Sequence, residues 1–584
     1  MKKAWCLCQS KDARDTLIHL RRLGVVHVEH QQSPQGGDIA ALQEDILLAD
    51  KALDVLSRVC GDKGCEYRAK PDADWKAQSR HIIDLEKRLD QLGEYAVSLK
   101  ARIGEWERWG DFDPEKIRAL SEKKIFFRFY EIPEGEIGSL SASLIVKKIS
   151  VRNGIAYCLA ISRMDIPEIP YKEIAPPGMS LNAMRRRLED DRKAAETLRQ
   201  EICRCAVFLK DIARQRENLE KELRFTTALK GMGESGVLVY LCGYVPFDAV
   251  DSLLRTAREK QWAVFLRDPA EEDTVPTLIR TPRWVGLIKP VFNLLGIIPG
   301  YREIDVSAVF LVFLSVFFGI LIGDAGYGLI YILFMVWMQN RLKKDASTKK
   351  IIFLLYLLSS CAVVWGLLTG TFFGQGWVLK RGWRPLVPQL NDAGFMQTFC
   401  FFLGALHLSL AHFWRALIKL PSPAALADAG WICVLWTAFL LARTLILGEI
   451  FPGGGKWLIL TGIVLVILFT NPQRNILRTI GEGLGTVGLS LMNNFTDVVS
   501  YVRLFAVGLA GVAIADTTNA MADGLGGGFG ALAAGFLIVL IGHGLNLILG
   551  PMSVLVHGIR LNVLEFSSHA NVAWSGIKYD PLKE

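Results

Sequence analysis

In three stretches of the first 230 residues, apolar positions recur at alternating steps of three and four. The cleanest is Ile82, Leu85, Leu89, Leu92, Ala96, Leu99 and Ile103. The same rhythm runs through Ile39, Leu42, Ile46, Ala49, Leu53 and Leu56. It returns at Leu198, Ile202, Cys205, Leu209, Ile212, Arg216, Leu219 and Leu223, interrupted only by the arginine. This spacing lays one apolar seam along a long helix and calls for a partner helix. Between the seams, mixed segments at 124–132, 143–151, 154–162 and 236–245 read as strands of one or two small α/β lobes. The pattern predicts a folded-back coiled-coil arm with lobes at its ends, reaching roughly 60–70 Å at 1.5 Å per helical residue.

Beyond residue 300 the pattern changes. Apolar runs occupy 304–340, 351–373, 394–418, 428–448, 456–470, 484–523 and 530–566. As a single helix the first would be about 50 Å long, against a hydrocarbon core of about 30 Å. It is interrupted by the sequence GDAGYG at 323–328, which suits a tight hairpin between two spans. The last two runs approach 40 residues and carry polar groups at helical spacing. Asn493, Asp497, Ser500 and Arg503 share one face of the first. Asn546, Gly550, Ser553, His557 and Arg560 share one face of the second, with Glu565 near its end. Helices this long are expected to lie strongly tilted across a bilayer.

Composition supports the division. Residues 1–300 hold 48 Lys/Arg and 45 Asp/Glu, whereas residues 301–584 hold 19 and 14. The first part therefore reads as a water-soluble domain (1–300), and the second, too poor in charge to face water, as a membrane domain (301–584). A net charge of +8 with no long basic run gives no reason to expect nucleic-acid binding. The start of the chain has no continuous apolar segment of the signal-peptide kind, so the charged part is placed in the cytoplasm. With two spans in the first run, inner loops at 341–350, 415–427, 471–482 and 567–584 carry eleven Lys/Arg. The outer loops at 323–326, 374–393, 449–456 and 524–530 then carry four. A single first span would reverse that asymmetry, so the expectation is eight transmembrane helices with both termini cytoplasmic.

The chemistry lies in the last two runs. An arginine inside a membrane is costly and points to function, which singles out Arg503, flanked by apolar residues, and then Arg560. Asn493, Asp497, Ser500, His543, Asn546, Ser553, His557 and Glu565 are candidate linings of an ion path. His407, His412 and His543 also read as polar partners between helices. The 11 cysteines are scattered, and the pairs Cys6/Cys8 and Cys203/Cys205 lack a second pair at zinc-ribbon spacing, so no metal site or other cofactor is expected. The segment Gly453-Gly454-Gly455-Lys456-Trp457 lacks the spacing and hydroxyl of a phosphate-binding loop. ATP chemistry is therefore not expected on this chain.

The sequence resembles the membrane stator subunit of V-type and archaeal-type rotary ATPases, subunit a or subunit I. YVRLFAVGLA (501–510) is similar to that family's arginine-bearing segment, and GHGLNLILGPMSVLVHGIRLNVLEF (542–566) to its final helix. FFGILIGDAGYG (317–328) is similar to its first membrane motif, and residues 275–305 to its linker into the membrane. The resemblance implies that Arg503 matches the essential stator arginine and Arg560 its supporting arginine. It implies ion half-channels beside a rotor ring that carries H⁺ or Na⁺ on buried carboxylates. The implied partners are the ring's proteolipid subunits, peripheral-stalk subunits, a central-stalk cap subunit, the lipid bilayer and, indirectly, the soluble ATPase head. The setting implied is a prokaryotic plasma membrane. Two positions depart from many eukaryotic members: Gly511 stands where they have histidine, and Gly550 where they have glutamate. A stand-alone secondary transporter or channel with a cytoplasmic coiled-coil regulatory domain is the alternative, but residues 301–440 and 441–584 show no convincing repeat. A membrane-anchored sensor or scaffold would explain the arm but not Arg503.

Overall fold

The computed structural model describes residues 1–60, 74–139, 145–163, 170–341, 346–374, 382, 384–470, 476–526 and 528–583. The start of the 143–151 strand segment and parts of the loops 341–350, 374–393, 471–482 and 524–530 lie outside the described residues. The chain forms two compact units, Lys2–Arg267 with Pro581–Glu584, and Asp268–Asp580 with Met1.

In the first unit the heptad seams form helices Gly37–Cys60, Trp75–Trp106, Leu181–Cys205 and Leu209–Lys230. Their shared core is Ala49, Ala52, Val55, Leu56, Ile82, Leu85, Ile202, Cys205 and Ile212. The third seam is not one helix, because a single 3₁₀ turn at Ala206–Phe208 interrupts it and leaves Leu209 exposed. Arg216, the break in that seam, pairs with Asp50 of the facing helix and with Glu220, 3.0 Å away. Ser180 caps the Leu181–Cys205 helix by accepting from the Ala183 N–H, the usual use of serine at a helix start.

Two antiparallel sheets complete this unit. One, ordered Ile145–Arg152, Ile155–Ser162, Phe126–Pro133 and Lys172–Ile174, contains three of the expected strands. In the other, Lys2–Gln9 lies between the expected strand Leu238–Val245 and Ala263–Arg267. The Lys2–Gln9 strand was not expected, although Ala4, Cys6 and Cys8 alternate inward in it. Burial pushes the Cys6 thiol up to about 12, which keeps it an inert core side chain.

The second unit is helical. Ser307–Ile322 is apolar on every side and twelve of its residues are buried, as expected of a helix enclosed by others. It ends at Gly323 in the left-handed conformation (φ +64°), and the chain turns by 119° into Ala325–Arg341. Asp324, almost fully buried, holds that turn: Oδ1 accepts from Gly326 N (2.7 Å) and Phe373 N (2.9 Å), and Oδ2 from Gly374 N (2.9 Å). The first apolar run is thus broken at the GDAGYG sequence. Among the described residues, five helices are long and apolar enough to cross a membrane: Thr348–Thr369, Ala393–Lys419, Ala425–Leu447, Ser490–Asp523 and Phe529–Ala570. Gly453–Phe469 is apolar but only 17 residues long. Residues 276–298 also belong to this unit. Pro276–Thr277 pairs with Ile577–Lys578, the Gly576 N–H donates to the Ile298 carbonyl, and Glu303 Oε1 accepts from Ala573 N (2.9 Å).

Candidate functional site

Arg503 sits near the middle of Ser490–Asp523, on a segment fixed from one side. Tyr501, Leu504 and Gly508, spaced as one helical face, are buried. The Tyr501 ring lies on Gly404, where a Cβ would come within 2.7 Å of it, and its hydroxyl pairs with His407 Nδ1 at 2.8 Å. His407 is itself stacked between Phe313 and Phe566. Gly508 lets the helix approach Ile320, whose carbonyl oxygen would be 2.7 Å from a Cβ. Ala506, Leu509, Ala510 and Ala513 remain exposed on the far side.

Arg503 Nε donates to the Ser500 carbonyl at 2.9 Å, and its Nη2 lies 2.6 Å from Glu565 Oε1. The same carboxylate oxygen is 3.5 Å from Arg560 Nε. Glu565 is buried, Arg503 a quarter exposed and Arg560 largely exposed. One carboxylate thus bridges two guanidiniums donated by the two longest helices. The backbone makes this possible. After Pro551, which has no N–H to give, the last helix widens into π turns at Val554–Gly558 and Leu561–Phe566, on either side of Arg560.

The sequence candidates separate into two groups. Arg503, Arg560 and Glu565 come together, and Asp497 lies on the same helix as Arg503, 3.1 Å from Nε2 of His569. His543, Asn546 and Ser553 belong elsewhere, around Tyr327. The Tyr327 hydroxyl is 2.6 Å from His543 Nδ1 and accepts from Asn546 Nδ2 at 3.1 Å, and His543 Nε2 is 3.0 Å from Asn519 Oδ1. Ser553 lines a cavity of about 120 Å³ with Tyr327, Tyr331, Gly511 and Asn546. Ser500 uses its hydroxyl on the Asp497 carbonyl, His557 is half-buried and Asn493 is exposed. At Gly511 the carbonyl accepts from Asn546 at 2.8 Å and a Cβ would make only ordinary contact with that side chain, whereas at Gly550 a Cβ would meet Ile322 Cδ1 at 2.6 Å.

Sequence reading missed a second buried chain of polar groups. Asp428 Oδ1 is 3.1 Å from His412 Nδ1, His412 Nε2 is 2.9 Å from His569 Nδ1, and His569 Nε2 faces Asp497. Lys419 Nζ lies 2.6 Å from Asp428 Oδ2, and Arg415 donates to the His569 carbonyl at 2.9 Å. Four separate segments supply these residues, so no local spacing could have joined them.

No family model matches the sequence. The chain is 31% identical over 620 residues to V-type ATP synthase subunit I 1 of Treponema pallidum, with 100% of this chain and 99% of the relative covered. It is 30% identical over 612 residues to V-type ATP synthase subunit I of Borreliella burgdorferi, with the same coverage. The A-type ATP synthase subunit I of Methanocaldococcus jannaschii is 22% identical over 510 residues, covering 78% of this chain and 72% of the relative. With nearly a third of its residues shared across the full length of a curated relative, this chain belongs to the V-type ATP synthase subunit I family.

Proposed function

We propose that this chain is the non-catalytic membrane stator of a rotary ATPase, with residues 1–300 in the cytoplasm and 301–584 as the ion-translocating domain. The observation that carries the reading is Arg503, held mid-helix by Glu565 on the two longest apolar helices of the chain. A rotor carboxylate that arrives loaded with an ion must release it opposite a fixed cation. Arginine suits this role because its guanidinium stays protonated when buried. Arg560, sharing the same carboxylate, supports Arg503. The group near Asp497 would line the inner half-channel. The group of Tyr327, His543, Asn546 and Ser553 would line the outer one. The ion is H⁺ or Na⁺, and its carboxylate belongs to the rotor. The arm helices would hold peripheral-stalk subunits, with the central-stalk cap and the ATPase head as further neighbours.

Eight spans with both termini inside are supported by which helix ends meet. The linker before the first long apolar helix pairs with the segment after the last one, which supports an even number of crossings. Asp428, at the start of Ala425–Leu447, and Asp497, early in Ser490–Asp523, belong to one chain of contacts. This supports a crossing by the intervening Gly453–Phe469, about 26 Å long. Val306 and Ala411 share a cluster with Phe566 and Ala570, which supports a bent pair that returns to the side it started from, as two spans would. At 34 and 42 residues, the last two helices exceed the bilayer and would tilt. On this topology a cysteine at Lys349 is protected from an impermeant thiol reagent on intact cells, and one at Arg384 is labelled.

Purification through a tag on this chain tests the function. The stator reading expects ATP-hydrolysing subunits to co-purify in one large complex on native electrophoresis. A chain that migrates alone and still transports would favour the secondary-transporter alternative.

A further inference from the structure

The Asp428–His412–His569–Asp497 chain permits a proton count. It contains three contacts of 2.9–3.1 Å between nitrogen or oxygen atoms, and each needs one hydrogen between its two atoms. Ionised carboxylates supply none, and a neutral imidazole supplies one. Two neutral histidines therefore fill two contacts and leave the third as two lone pairs facing each other. His412 and His569 have side chains about 5% exposed, so water cannot readily take that place. The additional proton belongs on an imidazole. Asp428 faces Lys419 at 2.6 Å and Arg415 at 3.5 Å, which keep it ionised, and Asp497 is a quarter exposed.

We infer that the His412–His569 pair is a proton-binding site that holds one proton beyond its two neutral imidazoles. We further infer that this proton sets the register of the Arg503–Glu565 contact. Glu565 and His569 lie one turn apart on the last helix, and Asp497 and Arg503 lie on the helix before it. The two helices thus meet through two rungs of opposite polarity, Arg503 to Glu565 and Asp497 to His569. Two rungs fix both the height and the rotation of one helix against the other, whereas one leaves rotation free. The other charged or titratable groups around the pair are Arg415, which binds the His569 carbonyl, Lys419 behind Asp428, and His407, stacked on Phe566. When the proton leaves to bulk water at alkaline pH, one contact turns repulsive and the second rung loosens. His412 and His569 are positioning residues for Arg503 on this account. The inference rests on the stator reading only for what Arg503 does.

The test is the pH profile of ATP-driven ion uptake by vesicles of the assembled complex, each variant scaled to its own plateau and corrected for the head's ATPase profile. Uptake by the parent is expected to fall on the alkaline side. In Asp497→Asn the new amide donates to His569 Nε2, so all three contacts are filled with both histidines neutral. In His569→Lys an ammonium, which holds its proton to higher pH than an imidazolium, faces both neighbours. Both variants should move the alkaline limb up by about one pH unit or more, because the amide does not titrate there and an ammonium beside Asp497 loses its proton at higher pH than an imidazolium. The absence of an alkaline limb in the parent, an unmoved limb in Asp497→Asn, or loss of its uptake at every pH overturns the inference. Asp497→Asn is the deciding variant if His569→Lys fails to assemble. Arg503→Ala, measured in parallel, reports on the stator reading separately. Uptake like the parent's would remove that reading while leaving the limb shift interpretable.

Discussion

Replacing Glu565 with alanine is expected to cost the chain about 3 kcal/mol or more of stability, within the range for breaking a buried ion pair from one side. The carboxylate is 6% exposed and its Oε1 serves both Arg503 and Arg560. Without it Arg503 retains the Ser500 carbonyl but no compensating charge at this contact. The largest share of the cost is therefore an uncompensated guanidinium held among Tyr501, Leu504 and the last helix, rather than the loss of attraction itself. Arg560, more than half exposed and 3.5 Å from the carboxylate, is held less closely by it and adds less. Glu565→Gln should cost less, because its amide oxygen can still accept from Arg503. The check is the thermal midpoint of the purified full chain in detergent, followed by tryptophan fluorescence. A fall of several degrees in Glu565→Ala, with a smaller one in Glu565→Gln, is the expected order. Equal midpoints in parent and Glu565→Ala would mean that the bridge contributes nothing.

Much of the fold was legible because it rests on periodicity. The seams through Ile82, Leu85 and Ala49 became the arm's core, and the helices long and apolar enough to cross a membrane lie in the charge-poor second part. The break at 323–324 could be read from the glycines and aspartate of GDAGYG inside the first long apolar run. Where reading failed, the determinant was tertiary. The Lys2–Gln9 strand is pinned by partners in Leu238–Val245 and Ala263–Arg267, far along the chain, and its alternation of Cys and Ala is too weak a signal alone. Leu209 fits its heptad but is exposed, because a 3₁₀ turn shifts the register just before it. In the candidate site, the unusual residue was visible and its partner was not unique: Arg503 had both Asp497 and Glu565 within plausible reach. The structure pairs it with Glu565 and gives Asp497 to His569, a residue that no spacing had singled out.

Arg503 is where the largest functional effect is expected. Its helix is braced on one side by Tyr501, Leu504 and Gly508 and exposes small residues on the other, so a neighbouring helix can approach the guanidinium closely. A cation that must draw an ion off a carboxylate and then release that carboxylate has to stay charged throughout. Lysine fails on that ground, because a buried ammonium can shed its proton, and it lacks the planar fork that can hold Glu565 and a second carboxylate together. Arg503→Lys should therefore lose nearly as much coupling as Arg503→Ala, whereas Arg560→Ala, closer to water, should retain a substantial part. Keeping an arginine at this depth costs at least about 2.5 kcal/mol on insertion scales, so a purely structural role would be better served by an apolar side chain. The measurement that bears most directly on this is ATP-driven ion uptake by vesicles carrying Arg503→Ala, normalised to assembled complex. The account predicts a complex that assembles and takes up no ions above background; uptake at the parental rate would contradict it.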